Sequence, residues 1–543
     1  MKRRPYDYII VGAGTAGCVL AGRLSEDPHR RVLLLEAGGA DSDPLIHIPL
    51  GIGKLWKDRL HDWGYSTEPQ AELNRRAIEL PRCKVLGGCS SINAMLYVRG
   101  NRWDYDRWAA SGLEGWSYAR VLPYFKRTES WCGGESAYRG GSGPIATRFT
   151  DLSDPICAAV LRAGRAAGFS LTEDLNGEVS EGFALAQSTI AGGRRCSAAS
   201  AYLRPAMRRA NLSVRTGTLA TRILLEGRKA VGVETLRRGR IERDHAACEV
   251  LVAAGAINTP QLLMLSGLGE AARLRVHGIA PAAHLPGVGA NLQDHVFVDV
   301  GNLRKGTSPL RRALRVDRIA LAMLRAYLAG NGPATNPPGG AMALLRTRDG
   351  IAVPDIQLGV RGIARDARPW WPLLGPGWND AFFLLVVLLH PESRGTVELA
   401  SPDARQPVRI CANYLSAPGD MRTLAAGMRM AREVIRQGEL DAFRGDEFLP
   451  GPEVVGDSEL HAYIRAVAST LHHAAGTCRM GRDDMAVVDP DLRVHGVDGL
   501  RVVDASVMPD LVSGNINACV LMIAERASDL IRGRTPLPAE EPG

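Results

Sequence analysis

A glycine run and an acid 19 residues beyond it are the first residues of this 543-residue chain whose spacing implies chemistry. Gly12-Ala13-Gly14-Thr15-Ala16-Gly17 fits G-x-G-x-x-G, and Glu36 follows. The glycines permit a tight turn and let main-chain amides reach a pyrophosphate resting on the positive end of the next helix. Glu36 accepts hydrogen bonds from a ribose hydroxyl and repels a 2′-phosphate, which disfavours an NADP-type ligand. The run implies a bound dinucleotide and does not choose between NAD and FAD. No second G-x-G-x-x-G occurs, so with a flavin in the single site electrons must leave to dioxygen or an external carrier. His473 is the second candidate. A neutral imidazole suits a general base near pH 7, and a histidine in a Gly-flanked loop otherwise serves as a structural hydrogen-bonder. G-x-S-x-G and paired metal-ligand histidines are both missing, which removes serine-hydrolase and metallohydrolase chemistry.

These residues need a sheet to place them. Tyr8 to Val11 is an apolar run of the kind buried on both faces of a parallel sheet; Gly12 to Gly17 form the turn, and Val19 to Leu24 continue as helix. Arg31 to Glu36 is a second buried strand ending in the acid. Short strands return at Leu212 to Val214, Arg222 to Leu224 and Ala230 to Val233, and Glu249 to Ala253 is another buried one. Behind it Thr259 and Pro260 read as the cap and first residue of a helix running from Gln261. Composition shifts after about Asp299 into a middle region with strands at Phe382 to Leu389 and Thr396 to Leu399. Leu310 to Leu328 reads there as one basic amphipathic helix carrying Arg311, Arg312, Arg315, Arg318 and Arg325. It is either an ordinary surface helix or a contact for anionic lipid or a redox partner. Pro/Gly loops span 330–340 and 361–380. Trp370, Trp371 and Trp378 in the second loop either line a pocket for a cation or fill a junction between domains.

Apolar residues make up 45% and charged residues 23% of the chain, the balance of a globular protein with a buried core. The net charge of +8 is spread without a basic block, which argues against nucleic-acid binding. Ten cysteines without a C-x-x-C pair read as free thiols. Met1-Lys2-Arg3-Arg4 imitates the head of a signal peptide, but Asp7 and Gly12 interrupt the apolar stretch. The longest apolar run, Ala381 to Leu389, falls short of the ~18 residues of a spanning helix. The expectation is a soluble, cytoplasmic protein without a metal.

Several segments together resemble the glucose–methanol–choline (GMC) oxidoreductases. They are Asp7 to Gly12, Gly87-Gly88-Cys89-Ser90-Ser91-Ile92-Asn93, Gly255 to Gly269, Asn291-Leu292-Gln293-Asp294-His295, His473 to Met480, and the tail from Val503 to Ile531. They cover nearly the whole chain in order. The resemblance implies an α/β (α+β) fold: a Rossmann-like FAD-binding domain, discontinuous over 1–150, 190–298 and 468–543, with a sheet-based substrate domain over 151–189 and 299–467. It implies FAD contacts from Gly12, Gly14, Thr15, Ala16 and Gly17, and from Glu36 and Ala37. Further contacts are implied from Gly87, Ser91, Asn93 and Ala94, from Ala220, and from Asp504, Ala505 and Asn515. Where relatives attach FAD through a histidine, this chain has Ile92, so the cofactor is expected to be non-covalent. Where many relatives have Pro after the catalytic histidine, it has Ala474.

The resemblance also implies oxidation of a primary alcohol to an aldehyde, with oxygen or a quinone-like carrier as acceptor. His473 matches the family's catalytic position, and Asn517 is paired with it across the substrate oxygen. An amide has no useful basicity, so Asn517 orients or donates and His473 remains the base. Asn515 is the competing asparagine, with closing the turn as its plainer role. From Ala518 the chain reads as a helix, either a plain core helix or one whose first-turn amides also favour negative charge at the flavin pyrimidine edge. A hydroxynitrile lyase that keeps FAD as structure is the rival within the same fold.

Overall fold

Apolar runs without alternation become strands covered on both faces. In the computed structural model, β1 (Tyr6–Val11) and β2 (Val32–Leu35) pair in parallel, and Tyr8 to Val11 and all of β2 are buried. The structure describes residues 4–542 except Leu152, Pro338, Arg365 and Pro376. Met1, Lys2 and Arg3 of the basic head therefore lie outside the described residues, as do single prolines or arginines of the two Pro/Gly loops. α1 (Thr15–Leu24) follows the glycine turn. β3 (Gly182–Leu185) starts a second sheet. β4 (Leu212–Arg215), β5 (Thr218–Glu226), β6 (Lys229–Arg237) and β7 (Arg240–Val252) return to the first, and α2 (Gly255–Leu265) follows β7.

The chain then builds the second sheet through β8 (Val296–Arg304), β9 (Ala341–Leu345), β10 (Ile356–Arg361) and β11 (Ala381–Leu388). α3 (Val316–Ala329) precedes β9, and α4 (Pro418–Arg436) follows β11. β12 (Arg444–Leu449) and β13 (Ser469–Thr470) complete it. β14 (Leu500–Val502) and α5 (Asn517–Ile531) belong with the first sheet. The first sheet has the order β5-β6-β7-β1-β2-β4 with β14 beside β7; the second has β12-β8-β11-β10-β9-β3 with β13 beside β8.

The sheets use their side chains differently. Residues of the first sheet near β1 are apolar on both faces, and α1 and α5 pack against each other beside it, clamped by Arg23 on the buried Glu525 carboxylate at 2.8 Å. The second sheet alternates. Val298, Val300, Leu384, Val386, Ile356 and Leu358 join Leu424 and Met428 of α4 in one core, leaving the other face to a cavity.

Two expectations about helices change. α2 starts at Gly255, not Gln261, with Pro260 inside it. A proline there has no N–H for the Ala256 carbonyl, and the Thr477 hydroxyl donates to that carbonyl instead at 2.6 Å. The basic helix 310–328 is broken into Pro309–Ala313 and α3, because Val316 N–H and Leu314 O bond the main chain of Trp370. The Arg311 guanidinium lies over both Trp370 and Trp378, 5.6 Å from each ring centroid. These rings fill the junction beneath the helix and do not line the cavity. No helix among the described residues is long and apolar enough to cross a membrane.

Candidate active site

One cavity of about 1240 Å³ runs from the glycine turn to the second sheet, larger than the roughly 300–1,000 Å³ of most small-ligand sites. Its first end is made of main chain. Gly12 has φ +99°, and a Cβ there would stand 2.5 Å from the Ala253 carbonyl oxygen. A Cβ on Gly17 would meet Gly12 O at 1.8 Å, so this glycine lets α1 cross close behind the turn. Gly14 caps α1 with no side-chain bond, leaving the first-turn amides of Thr15, Ala16 and Gly17 for an anion. Gly88 presses against this turn: a Cβ would lie 2.6 Å from Gly14 Cα.

Glu36 stands at the end of β2 as the spacing requires. Its two oxygens accept from Ala13 N–H at 2.9 Å and Gly38 N–H at 2.7 Å, and burial pushes its carboxyl up to about 7. Each oxygen keeps a lone pair for a ribose hydroxyl. Ala37, Asn93, Ala94, Ala220, Asp504 and Ala505 also reach the cavity wall. Gly17, Gly87 and Ser91 stand behind it; Ser91 is fully buried and donates to Leu86 O at 2.7 Å. Asp504 braces α2, accepting from Gly255 N–H at 2.9 Å and from the Thr259 hydroxyl at 2.6 Å. The turn that only glycine can make, the free helix amides and the paired acid together fit an adenine dinucleotide.

At the other end of the cavity the protonation of His473 can be worked out from its neighbours. His295 Nε2 lies 3.0 Å from the Leu389 carbonyl, which accepts only, so Nε2 carries the hydrogen. His295 Nδ1 is then a lone pair, and His473 Nδ1, 2.9 Å away, donates to it. His473 Nε2 is left as a lone pair, with the Asn515 amide nitrogen 3.2 Å away. The backbone N–H of His473 is fixed by Asp294 Oδ1 at 2.7 Å, and Asp294 Oδ2 accepts from the Tyr414 hydroxyl at 2.7 Å and from Thr470. Burial, then the neighbouring His295, His472 and Arg82, holds His473 well below the usual imidazole range. Burial likewise pushes His295 to about 3. The pair is neutral and correctly tautomerised for accepting a proton at Nε2.

The amide that reaches His473 is therefore Asn515, the residue whose plainer role was closing the turn. Asn517 begins α5, and its Oδ1 accepts from the Thr15 hydroxyl at 2.9 Å. Asn517 thus ties the starts of α1 and α5 together at the cavity edge. His472, with φ +66°, turns away from His473 to meet Trp56 edge-on at 6.0 Å. The sequence offered no residue-level reason to single out Asp294, His295 or Thr470; the Asn291 to His295 block entered as a stretch of resemblance.

Family models described as GMC oxidoreductase match residues 6–297 and 391–524. A human mitochondrial choline dehydrogenase is 42% identical over 554 residues, covering 99% of this chain and 91% of that protein. Among solved structures, a pyridoxine 4-oxidase from Mesorbium loti superposes with TM-score 0.87 at 32% identity, covering 98% of this chain and all of that one. An FAD-dependent oxidoreductase from Chaetomium thermophilum superposes with TM-score 0.88 at 27% identity, covering 97% and 99% of the two chains.

Proposed function

Because the chain belongs to the GMC oxidoreductase family and is an FAD-dependent enzyme acting on CH–OH groups, we propose that it oxidises a primary alcohol to the aldehyde with His473 as base. The substrate hydroxyl takes the place of the direct contact between His473 Nε2 and the Asn515 amide nitrogen, 3.2 Å apart, and bonds to both. Its proton passes to Nε2 while Nδ1–H stays on His295. Asn515 donates to the oxygen as negative charge gathers there. The chemistry supplied by FAD, when bound, is acceptance of the hydride from the carbinol carbon. R–CH2OH thereby becomes R–CHO, one proton resting on His473 and two electrons leaving with the hydride for dioxygen or an external carrier. Ile92 offers no nucleophile, which favours a cofactor held by hydrogen bonds and packing alone.

The observation that carries this reading is the chain Leu389 O, His295, His473, Asn515, in which a carbonyl fixes the tautomer of the base two bonds away. The matched proteins are named as dehydrogenases and oxidases, which supports oxidation over carbon–carbon lyase chemistry. His473→Ala should slow anaerobic flavin reduction by ~10²–10⁴, the usual worth of a positioned base. A variant reduced near the wild-type rate removes His473 from this role. A flavin that stays oxidised under any alcohol, while cyanohydrins are cleaved, restores the lyase.

A further inference from the structure

We infer that the substrate of this site is an uncharged alcohol with an apolar body, and that the pocket discriminates against quaternary-ammonium alcohols. This rests on the alcohol oxidation proposed above and assigns its substrate class. It departs from the choline named for the human relative.

The wall beside the imidazole pair is the free face of the second sheet, and strand register orders it. Ser469, four residues before His473, is paired with Phe297, Phe297 with Val387, and Val387 with Gln357. The next row on the same face runs Asp299, Leu385, Gly359 and Met342. Phe297, Val387, Leu385 and Met342 reach the cavity. Asp299, the acid on these rows, is fully buried and bound by Arg361 at 2.6 Å. Arg361 in turn lies over the Phe383 ring at 4.8 Å.

Among the described residues four carboxylates line the cavity: Glu36, Glu79, Asp366 and Asp504. Glu36 and Asp504 belong to the cofactor end and hold main-chain amides. Glu79 and Asp366 are exposed, and Glu79 faces Arg59 at 3.3 Å. Arg76 and Arg82, whose guanidiniums bond main-chain carbonyls, add positive charge to the same walls, whereas the charge of Arg361 is balanced by Asp299. Of the two tryptophans on the cavity wall, Trp63 has Tyr65 stacked against it and Lys84 Nζ 4.4 Å above its ring, and Trp56 meets the His472 ring edge-on at 6.0 Å. A buried cation without a counter-charge is strongly disfavoured, and like charges facing it add to that cost. Gln357 is nearly fully buried with its Oε1 unpartnered, a neutral acceptor in the apolar row.

The test compares choline with 3,3-dimethyl-1-butanol, which has the same shape with carbon in place of the charged nitrogen. Both are titrated into FAD-loaded enzyme by anaerobic calorimetry, and both are followed for flavin reduction by stopped flow. The uncharged alcohol should bind and reduce about 100-fold or more better than choline. Affinity in the 1-alkanol series should rise about fourfold per methylene until the wall is covered. Gln357→Glu, an isosteric change, should shift the ratio toward choline, and Phe297→Glu should shift it further. Equal or tighter binding of choline by wild type overturns the inference, as does a Gln357→Glu ratio unmoved in a variant with normal FAD content. If no alcohol of either series reduces the flavin, the alcohol oxidation proposed above falls, while the two binding constants still decide the charge preference.

Discussion

The cofactor end and the substrate end of the cavity are built by opposite means. Around β1, β2 and α1 the binding groups are peptide amides, and the residues that matter most are those with no side chain to intrude, Gly12, Gly17 and Gly88. Around β8, β10 and β11 the main chain is consumed in antiparallel pairing, and only alternate side chains face the cavity. A surface of amides tolerates almost no substitution and accepts one kind of ligand. A surface of side chains on a rigid sheet can change its ligand residue by residue without disturbing the fold.

The comparison is broken most sharply at Gly88. It has φ +52°, and a Cβ would collide with backbone at Gly14, which cannot swing aside. Gly88→Val should lower FAD content about tenfold or more, given strain of at least 1–3 kcal/mol in that backbone region. Phe297→Leu on the opposite wall should retain FAD and alter kinetics alone. Flavin absorbance per purified chain measures both. Full FAD content in Gly88→Val would mean that the cradle is not where the cofactor lies.

A smaller effect sharpens the seam between the two ends, where Asn515 and Asn517 sit two residues apart. Asn515→Ala removes the amide nearest His473 Nε2 and should slow anaerobic flavin reduction by about 10². Asn517→Ala loses the hydrogen bond with Thr15, costing about 1 kcal/mol of stability with the reductive rate nearly kept. Equal slowing by both substitutions would erase the distinction drawn between them.

Why the resemblance pointed to Asn517 where the fold brings Asn515 to His473 also explains what else was hidden in the sequence. β1, the glycine turn and β2 are legible because a strand buried on both faces writes its burial into consecutive residues, and because the acid's spacing is local. The choice between Asn515 and Asn517 depends on where α5 starts and on Gly514, whose φ is +132°, so identical residues receive different partners. The His295 to His473 relay needs the Leu389 carbonyl, from just beyond the end of β11, and no local pattern announces it. Pro260 read as a helix start for the same reason. The hydroxyl that makes it tolerable inside α2 belongs to Thr477, 221 residues beyond the Ala256 carbonyl it serves, and that bond exists only once the chain has folded.

The effect that is smallest at neutral pH concerns His472 at the seam, and its sign follows from proton linkage. His472 is pushed down to about 3, by burial first and then by the charges of Arg82 and Arg59, whereas an unfolded chain holds it near 6.5. Between those values the unfolded chain binds a proton that the folded one refuses, so His472 lowers stability progressively as pH falls below about 6.5. Above that pH both states are neutral and the residue contributes nothing through titration. Buried carboxyls such as Glu36, pushed up by burial, work in the opposite direction, so the total slope mixes both kinds of group. His472→Gln isolates one of them. Its unfolding free energy should match wild type near pH 7.5 and exceed it increasingly toward pH 5, by about 1.4 kcal/mol for each pH unit well inside the window. Parallel curves for the two proteins would show that His472 is protonated as readily in the folded chain as out of it, and hence that the cavity wall around Trp56 and Arg82 admits charge.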